Sequence, residues 1–313
     1  MSTSPLYIGG LSYSGKTQLS HMLMGLPGIV ITRRTYLWPR YYQQFGDLSR
    51  ETNLTACLDA MLAAPGIRAL NPDRHRIERA FVDGPATYAR LFAILHAQHA
   101  ADRGARRWGD QLGGVEHYAE PILADDETAR FIHMVRDPRG RQAMIDRAGR
   151  RPGVTGWETR RWRQSAGLGL RQRDRHPGRY LLVRYEDLRG NAEEALRLVC
   201  AFIGEPYSPA LLPNPTLWVS DPYPCGESAV DARTAAYIQR HAAAEMATLE
   251  YAWRGERLRV GDSLRLRLID EPLNAAGMLV RDLRQNIETG RTRITPTPQD
   301  KREEWRKVAV SAE

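Results

Sequence analysis

The chain predicts an α/β fold, a P-loop-type parallel sheet flanked by helices with a C-terminal appendage, and three observations carry that prediction. Short apolar runs alternate with stretches of helical period over residues 1–253, the pattern of a parallel sheet covered on both faces. The first run, Leu6-Tyr7-Ile8-Gly9, passes directly into Gly10-Leu11-Ser12-Tyr13-Ser14-Gly15-Lys16-Thr17, which fits G-x-x-x-x-G-K-[ST]. After Arg254 the chain changes character, so residues 254–313 read as an extension rather than a second catalytic domain.

Each element follows in order. After the loop, residues 16–25 predict a helix and Ile29-Val30-Ile31-Thr32 a second strand. Residues 33–45 are aromatic and basic without a clear period. Trp38, Tyr41 and Tyr42 there, with the aromatic segment 218–223, either line an acceptor pocket or pack the fold. Helices are predicted over 53–64 and 85–103, where Tyr88, Leu91, Phe92, Leu95 and His99 recur at three- and four-residue steps; His96 and His99 read as packing or surface residues. Phe131-Ile132-His133-Met134-Val135 and Tyr180-Leu181-Leu182-Val183 predict two further strands, and Asp110 falls at another strand end. A helix over 192–204, a proline-rich loop over 206–224 and a helix over 231–253 complete the main domain. Beyond it, 257–260 and 264–268 alternate like an exposed strand, 273–288 reads as helix, and 289–313 is polar and proline-containing.

Composition narrows the function. A chain of 313 residues with 42% hydrophobic content buries a substantial core. The net charge of +8 favours anionic ligands, a demand that a nucleotide meets as well as nucleic acid or a membrane would. No uninterrupted apolar span and no signal-like N-terminus is present, which predicts a soluble, cytoplasmic protein without a transmembrane segment. Cys57, Cys200 and Cys225 are widely spaced and odd in number, so neither a disulfide framework nor a zinc site is indicated.

The loop carries the chemistry. In this pattern Ser14, Gly15, Lys16, Thr17 and Gln18 place backbone amides and a helix N-terminus against phosphate oxygens, while the lysine neutralises them. Only three of the 45 basic residues are lysines, Lys16, Lys301 and Lys307, so a chain that otherwise uses arginine has set a compact, movable charge here. In Arg136-Asp137-Pro138 the aspartate caps a helix whose first residue is proline. Arg136 is left at a strand end, either as a cation for phosphate or in a surface salt bridge. Strand ends at Gly9, Val135 and Val183 thus point at one site.

The combination resembles the sulfotransferases that use 3'-phosphoadenosine 5'-phosphosulfate (PAPS), in particular their bacterial and tyrosylprotein-type branch. Residues 10–17 stand where that family has its 5'-phosphosulfate loop, and 131–139 look like its strand ending in an arginine that binds the 3'-phosphate. Residues 179–188 and 200–204 resemble its next strand and helix, with Tyr185 where a tyrosine lies near the adenine. Arg107-Trp108-Gly109-Asp110-Gln111 resembles its tryptophan-glycine-acid-lysine segment. Several positions depart from the pattern. Tyr13 takes the loop's basic position, Lys16 its first threonine, Arg33-Arg34 the place of the glutamate base, Gln111 that of a lysine, and Met144 that of a serine.

The resemblance implies sulfuryl transfer from PAPS to a hydroxyl or amine of a small-molecule acceptor, with no metal and no nucleic-acid partner, and it leaves homo-oligomerisation open. It puts Ser14 to Gln18, Arg136 and Tyr185 on the nucleotide, but it does not transfer the base. Charge and position give the catalytic roles: Lys16 as the cation at the transferring group, and Asp110 either as the base, with Glu116 and His117 behind it, or as the cap of the helix that follows, with Glu116 and His117 on a solvated face. Two other readings compete. A P-loop kinase would take ATP and magnesium, with Asp83 the remaining candidate for the metal; a catalytically degenerate protein would bind nucleotide on the same scaffold.

Overall fold

The computed structural model describes residues 4–149, 153–212, 230–251 and 258–293, with side chains as far as residue 283. Among these, β1 (Leu6–Gly9), β2 (Ile29–Arg33), β3 (Arg107–Gln111), β4 (Arg130–Val135) and β5 (Tyr180–Arg184) form one sheet, ordered β2-β3-β1-β4-β5. Every pairing is parallel. In chain order the helices are α1 (Lys16–Leu23), α2 (Leu37–Tyr41), α3 (Glu51–Ala63), α4 (Pro65–Arg68), α5 (Arg74–Val82), α6 (Tyr88–Asp102), α7 (Ala119–Asp125), α8 (Pro138–Arg147) and α9 (Val154–Arg175). They continue with α10 (Tyr185–Gly190), α11 (Ala192–Ile203), α12 (Ala232–Thr248), α13 (Val260–Arg265) and α14 (Glu271–Arg293).

Parallel strands are joined by crossovers, so both faces of the sheet are buried and each strand carries apolar residues on both sides. On one face Leu6, Ile8, Ile29, Ile31, Ile132 and Met134 meet α1 and α11, where Cys200 is a buried free thiol of the core. On the other, one rung runs across four strands through Asp110, Tyr7, Phe131 and Tyr180. Its rings stack, Tyr7 on Phe131 at 6.1 Å and Phe131 on Tyr180 at 4.8 Å between centroids, beneath α3, α6 and α7. A third cluster joins Leu11 and Val135 to Trp162 and Ala166 of α9 and to Ile238 and Met246 of α12. Strand order reverses at β1, which lies between β3 and β4; in open α/β sheets ligands bind beyond the carboxyl ends of the strands at such a point.

The structure differs from the sequence reading in several elements. The run Ala80-Phe81-Val82 ends helix α5 and is not a strand, so Asp83 is a helix terminus; the kinase reading loses its candidate metal carboxylate. Residues 260–265 are helical and 266–270 continue as one wide π-type turn, where an exposed strand was expected. Of that segment's leucines only Leu266 is buried, while Leu264 and Leu268 face outward, so the alternation never met a neighbouring strand edge. Helix α9 has no counterpart in the sequence reading. Most of the proline-rich loop, the aromatic segment 218–223, Cys225 and residues 294–313 lie outside the described residues.

Candidate functional site

The loop of residues 10–15 leaves β1 at Gly9 and delivers the chain to α1. Close packing forces glycine at both of its ends. A Cβ on Gly10 would stand 2.3 Å from the Met134 carbonyl oxygen, and one on Gly15, at φ 90°, would stand 2.4 Å from Cδ2 of Tyr185. Gly15 is also the cap residue of α1 and brings no side-chain acceptor, so the first-turn amides have no side-chain partner. Thr17 and Gln18 are exposed on that turn. The Ser14 hydroxyl is buried without a hydrogen-bond partner among the described residues.

Arg136 and Tyr185 stand beside this loop as one unit. The Arg136 guanidinium lies 4.2 Å above the Tyr185 ring, and its Nη1 donates to the Tyr13 carbonyl at 3.3 Å. Its Nε and Nη2 are buried and have no acceptor, and no carboxylate pairs with this cation, among the described residues. The Trp162 indole nitrogen donates to the Arg136 carbonyl at 2.7 Å and fixes the backbone. Directly after it, Asp137 caps α8 as its sequence predicts, accepting the Arg139 amide at 2.8 Å with Pro138 in the first turn.

Lys16 is largely buried, and its ammonium donates to the Leu11 carbonyl at 3.0 Å. Burial pushes its pKa down to about 8; Glu116 opposes that shift, while Arg141 and Arg161 add to it. Arg141, on α8, donates from Nε to the Ser12 carbonyl at 3.0 Å and pairs with Glu158 of α9. Sequence reasoning missed both residues. The signal for α9 was present in Trp162, Ala166 and Leu170, apolar residues at four-residue steps within an arginine-rich stretch.

Asp110 does sit at a strand end, but it is 0% exposed. One carboxylate oxygen accepts the Thr32 hydroxyl at 3.0 Å and the other the Thr35 hydroxyl at 2.9 Å. Desolvation pushes its pKa up to about 6 against those two hydrogen bonds. These two bonds tie the end of β2 and the segment after it to β3. Glu116 is likewise buried, not on a solvated face: its Oε2 accepts the Gly10 amide at 3.0 Å and its Oε1 the Ser165 hydroxyl at 2.9 Å. Its neighbour His117 is exposed. Trp38 and Tyr41 belong to the core beneath α3 and α6, and Tyr42 packs partly buried against it. His96 stacks on Trp108 at 4.6 Å between centroids, a packing role.

A parallel sheet with a glycine-bounded loop at its reversal point, an open helix N-terminus and two buried cations defines an α/β protein equipped to hold an anion. The chain belongs to the sulfotransferase family, whose model matches residues 5–209. Among solved structures it is similar to sulfotransferase STF9 from Mycobacterium avium, with 16% identity, 82% of this chain and 79% of that one covered, and a TM-score of 0.50. The sulfotransferase domain of the Synechococcus olefin synthase aligns with 21% identity over 85% of this chain and 94% of that one, at a TM-score of 0.46. A sulfotransferase from Alicyclobacillus acidocaldarius aligns with 15% identity over 80% and 95%, at 0.47. No curated protein shows significant similarity to the chain. Among the described residues no helix is long and apolar enough to cross a membrane.

Proposed function

We propose that the chain transfers a sulfuryl group from PAPS to a hydroxyl or amine of a small-molecule acceptor. The observation that carries this reading is the Arg136 guanidinium, buried on the face of Tyr185 with two N–H-bearing nitrogens unpartnered among the described residues, next to the loop that would hold the donor's 5'-phosphate. PAPS supplies the sulfuryl group: a bond from the acceptor's oxygen or nitrogen to sulfur forms as the bond from sulfur to the 5'-phosphate oxygen breaks, 3',5'-adenosine bisphosphate leaves, and the acceptor's proton passes to solvent.

In this reading residues 14–18 hold the 5'-phosphate through backbone amides and the Ser14 hydroxyl. Lys16 gives up the Leu11 carbonyl to neutralise the charge that grows on the leaving phosphate. Arg136 holds a second anionic group of the nucleotide, and Tyr185 walls the adenosine side. Asp110 positions Thr35 and the segment after β2 rather than receiving the acceptor's proton, because its carboxylate is closed off. The division at residue 253 belongs to the same proposal, with the extension supporting α9.

Thermal stability measured with 3',5'-adenosine bisphosphate against ATP plus magnesium tests the donor. Saturating bisphosphate, at a hundred times its dissociation constant, adds about 2.7 kcal/mol. Stabilisation by ATP and magnesium alone would sink the proposal. In Lys16→Ala, sulfate transfer falls by about 10²–10³ while bisphosphate still binds, more weakly; unchanged turnover removes the lysine from the mechanism.

A further inference from the structure

Beneath the loop, four buried side chains from four elements are joined in a line. Glu116 lies in the 3-10 turn Val115–Tyr118, Ser165 on α9, His133 on β4 and Tyr180 on β5. The Ser165 hydroxyl lies 2.9 Å from Glu116 Oε1, His133 Nε2 lies 3.1 Å from Ser165 Oγ, and the Tyr180 hydroxyl lies 2.7 Å from His133 Nδ1. Valence fixes the direction. Glu116 is an acceptor, so Ser165 spends its single proton there and accepts from a protonated Nε2; Nδ1 is then bare and accepts from Tyr180. A neutral imidazole is what desolvation favours, and burial also keeps the proton on Tyr180. All three hydrogen bonds donate toward one carboxylate, which strengthens each of them.

At its far side that carboxylate accepts the first amide of the loop, Gly10 N–H, at 3.0 Å. No arginine or lysine among the described residues comes within ion-pair distance of it. Burial works against its ionised form, and the hydrogen bonds it accepts from the Gly10 amide and the Ser165 hydroxyl work for it; the net shift is downward. An ionised carboxylate under an anion-binding loop repels the ligand and is expensive to bury. It needs a compensating task, and the cation on the same stretch of loop is Lys16: its ammonium holds the carbonyl of Leu11, the residue after the Gly10 whose amide Glu116 holds. Burial disfavours the charged form of that lysine, Glu116 favours it, and Arg141 and Arg161 disfavour it.

We propose that Glu116 is a positioning residue that fixes the loop through Gly10 and keeps Lys16 in its charged, anion-binding form, with Ser165, His133 and Tyr180 holding its carboxylate in place. The proposal rests on residues 10–17 acting as the anion-binding loop, yet it is tested on the lysine itself. The chain has only three lysines, Lys16, Lys301 and Lys307, so lysine-selective 15N labelling gives three ammonium signals and the Lys16→Arg spectrum assigns the first. In the full-length protein Lys16 titrates near pH 8. In Glu116→Gln, which keeps an acceptor for Gly10 and removes the charge, its midpoint falls by about one pH unit, tenfold in proton affinity. Ser165→Ala keeps the charge, and its midpoint stays within a few tenths of the native one. The alkaline loss of bisphosphate affinity moves with the midpoint in each protein.

An unchanged midpoint in Glu116→Gln overturns the proposal, as does a Ser165→Ala shift as large as that of Glu116→Gln. Should Glu116→Gln not fold, the reciprocal measurement decides: in Lys16→Met the Glu116 carboxyl, followed by 13C NMR, titrates at higher pH, and no change there overturns the coupling. If bisphosphate binds at no pH, the donor reading fails while the lysine titration still judges the role of Glu116.

Discussion

At the residue scale, Asp110 stands where its spacing puts it, in surroundings that spacing does not display. The spacing put an acid at a strand end near the loop, and the structure puts it there. What the sequence could not display is the lid over it: Thr35, 75 positions away, and the stacked pair His96 and Trp108. Burial leaves a clear mark on its titration. The folded-state pKa, about 6, lies above the ordinary 3.8, so between these values the folded protein binds a proton that the unfolded chain has lost. Stability therefore falls as pH rises from about 4 to about 6, by on the order of 2–3 kcal/mol for this group. Asp110→Asn removes that slope, because the amide has nothing to ionise. Chemical denaturation of both proteins at pH 4 and pH 7 measures it; equal pH dependence would show that the carboxyl does not titrate as its burial demands. Lys16 works in the opposite range. Ligand phosphate favours its charged form, so bisphosphate affinity declines as pH rises through about 8, and in Lys16→Arg that decline disappears.

At the element scale, strands and caps were legible because their causes are local. Apolar runs, the G-x-x-x-x-G-K-T spacing and the Asp137-Pro138 start of α8 all act within a few residues. The strand at residues 107–111, buried at every position, shows little apolar character in Arg107-Trp108-Gly109-Asp110-Gln111, because its polar groups are satisfied by distant partners. Arg107, for instance, pairs with Glu205 and donates to the Ile203 carbonyl at 2.7 Å. Helix α9 escaped notice for a similar reason: its narrow apolar stripe is diluted by arginines that find carboxylates on other elements, Arg160 on Asp282 and Arg163 on Glu245. The turn from loop to α1 yields the element's own prediction. Gly15→Ala drives a methyl into the Tyr185 ring at a backbone angle that alanine resists, so the loop and the ring must separate. The expected result is a loss of bisphosphate affinity of tenfold or more, read by calorimetry, with a loss of stability of about 1–3 kcal/mol. Native-like affinity in Gly15→Ala would mean that the Tyr185 ring does not wall the nucleotide.

At the scale of the whole molecule, α14 is linked to the loop through α9. Helix α9 starts at Gly153, a cap residue with no side chain to satisfy the first-turn amides. Asn274 of α14 supplies the missing acceptor from outside, its Oδ1 taking the Gly156 amide at 2.9 Å, and Arg281 donates to the Gly153 carbonyl at 3.2 Å. The two helices approach so closely that a Cβ on Gly277 would lie 2.7 Å from the Gly153 Cα. Arg160 and Asp282 pair further along the same contact. Helix α9 in turn carries Trp162 to the Arg136 carbonyl and Ser165 to Glu116, so α14 braces the helix that braces the loop. Asn274→Ala should cost about 1 kcal/mol, the usual value of a lost cap, and lower Tm by about 2 °C. Gly277→Val should cost more, because the added side chain has no space against Gly153. Hydrogen exchange locates the effect: in both variants the amides of the first turn of α9 lose protection before those of the sheet do. Unchanged protection at residues 154–158 in Gly277→Val would mean that the extension lies against α9 without supporting it, and that the brace ends at α9 itself.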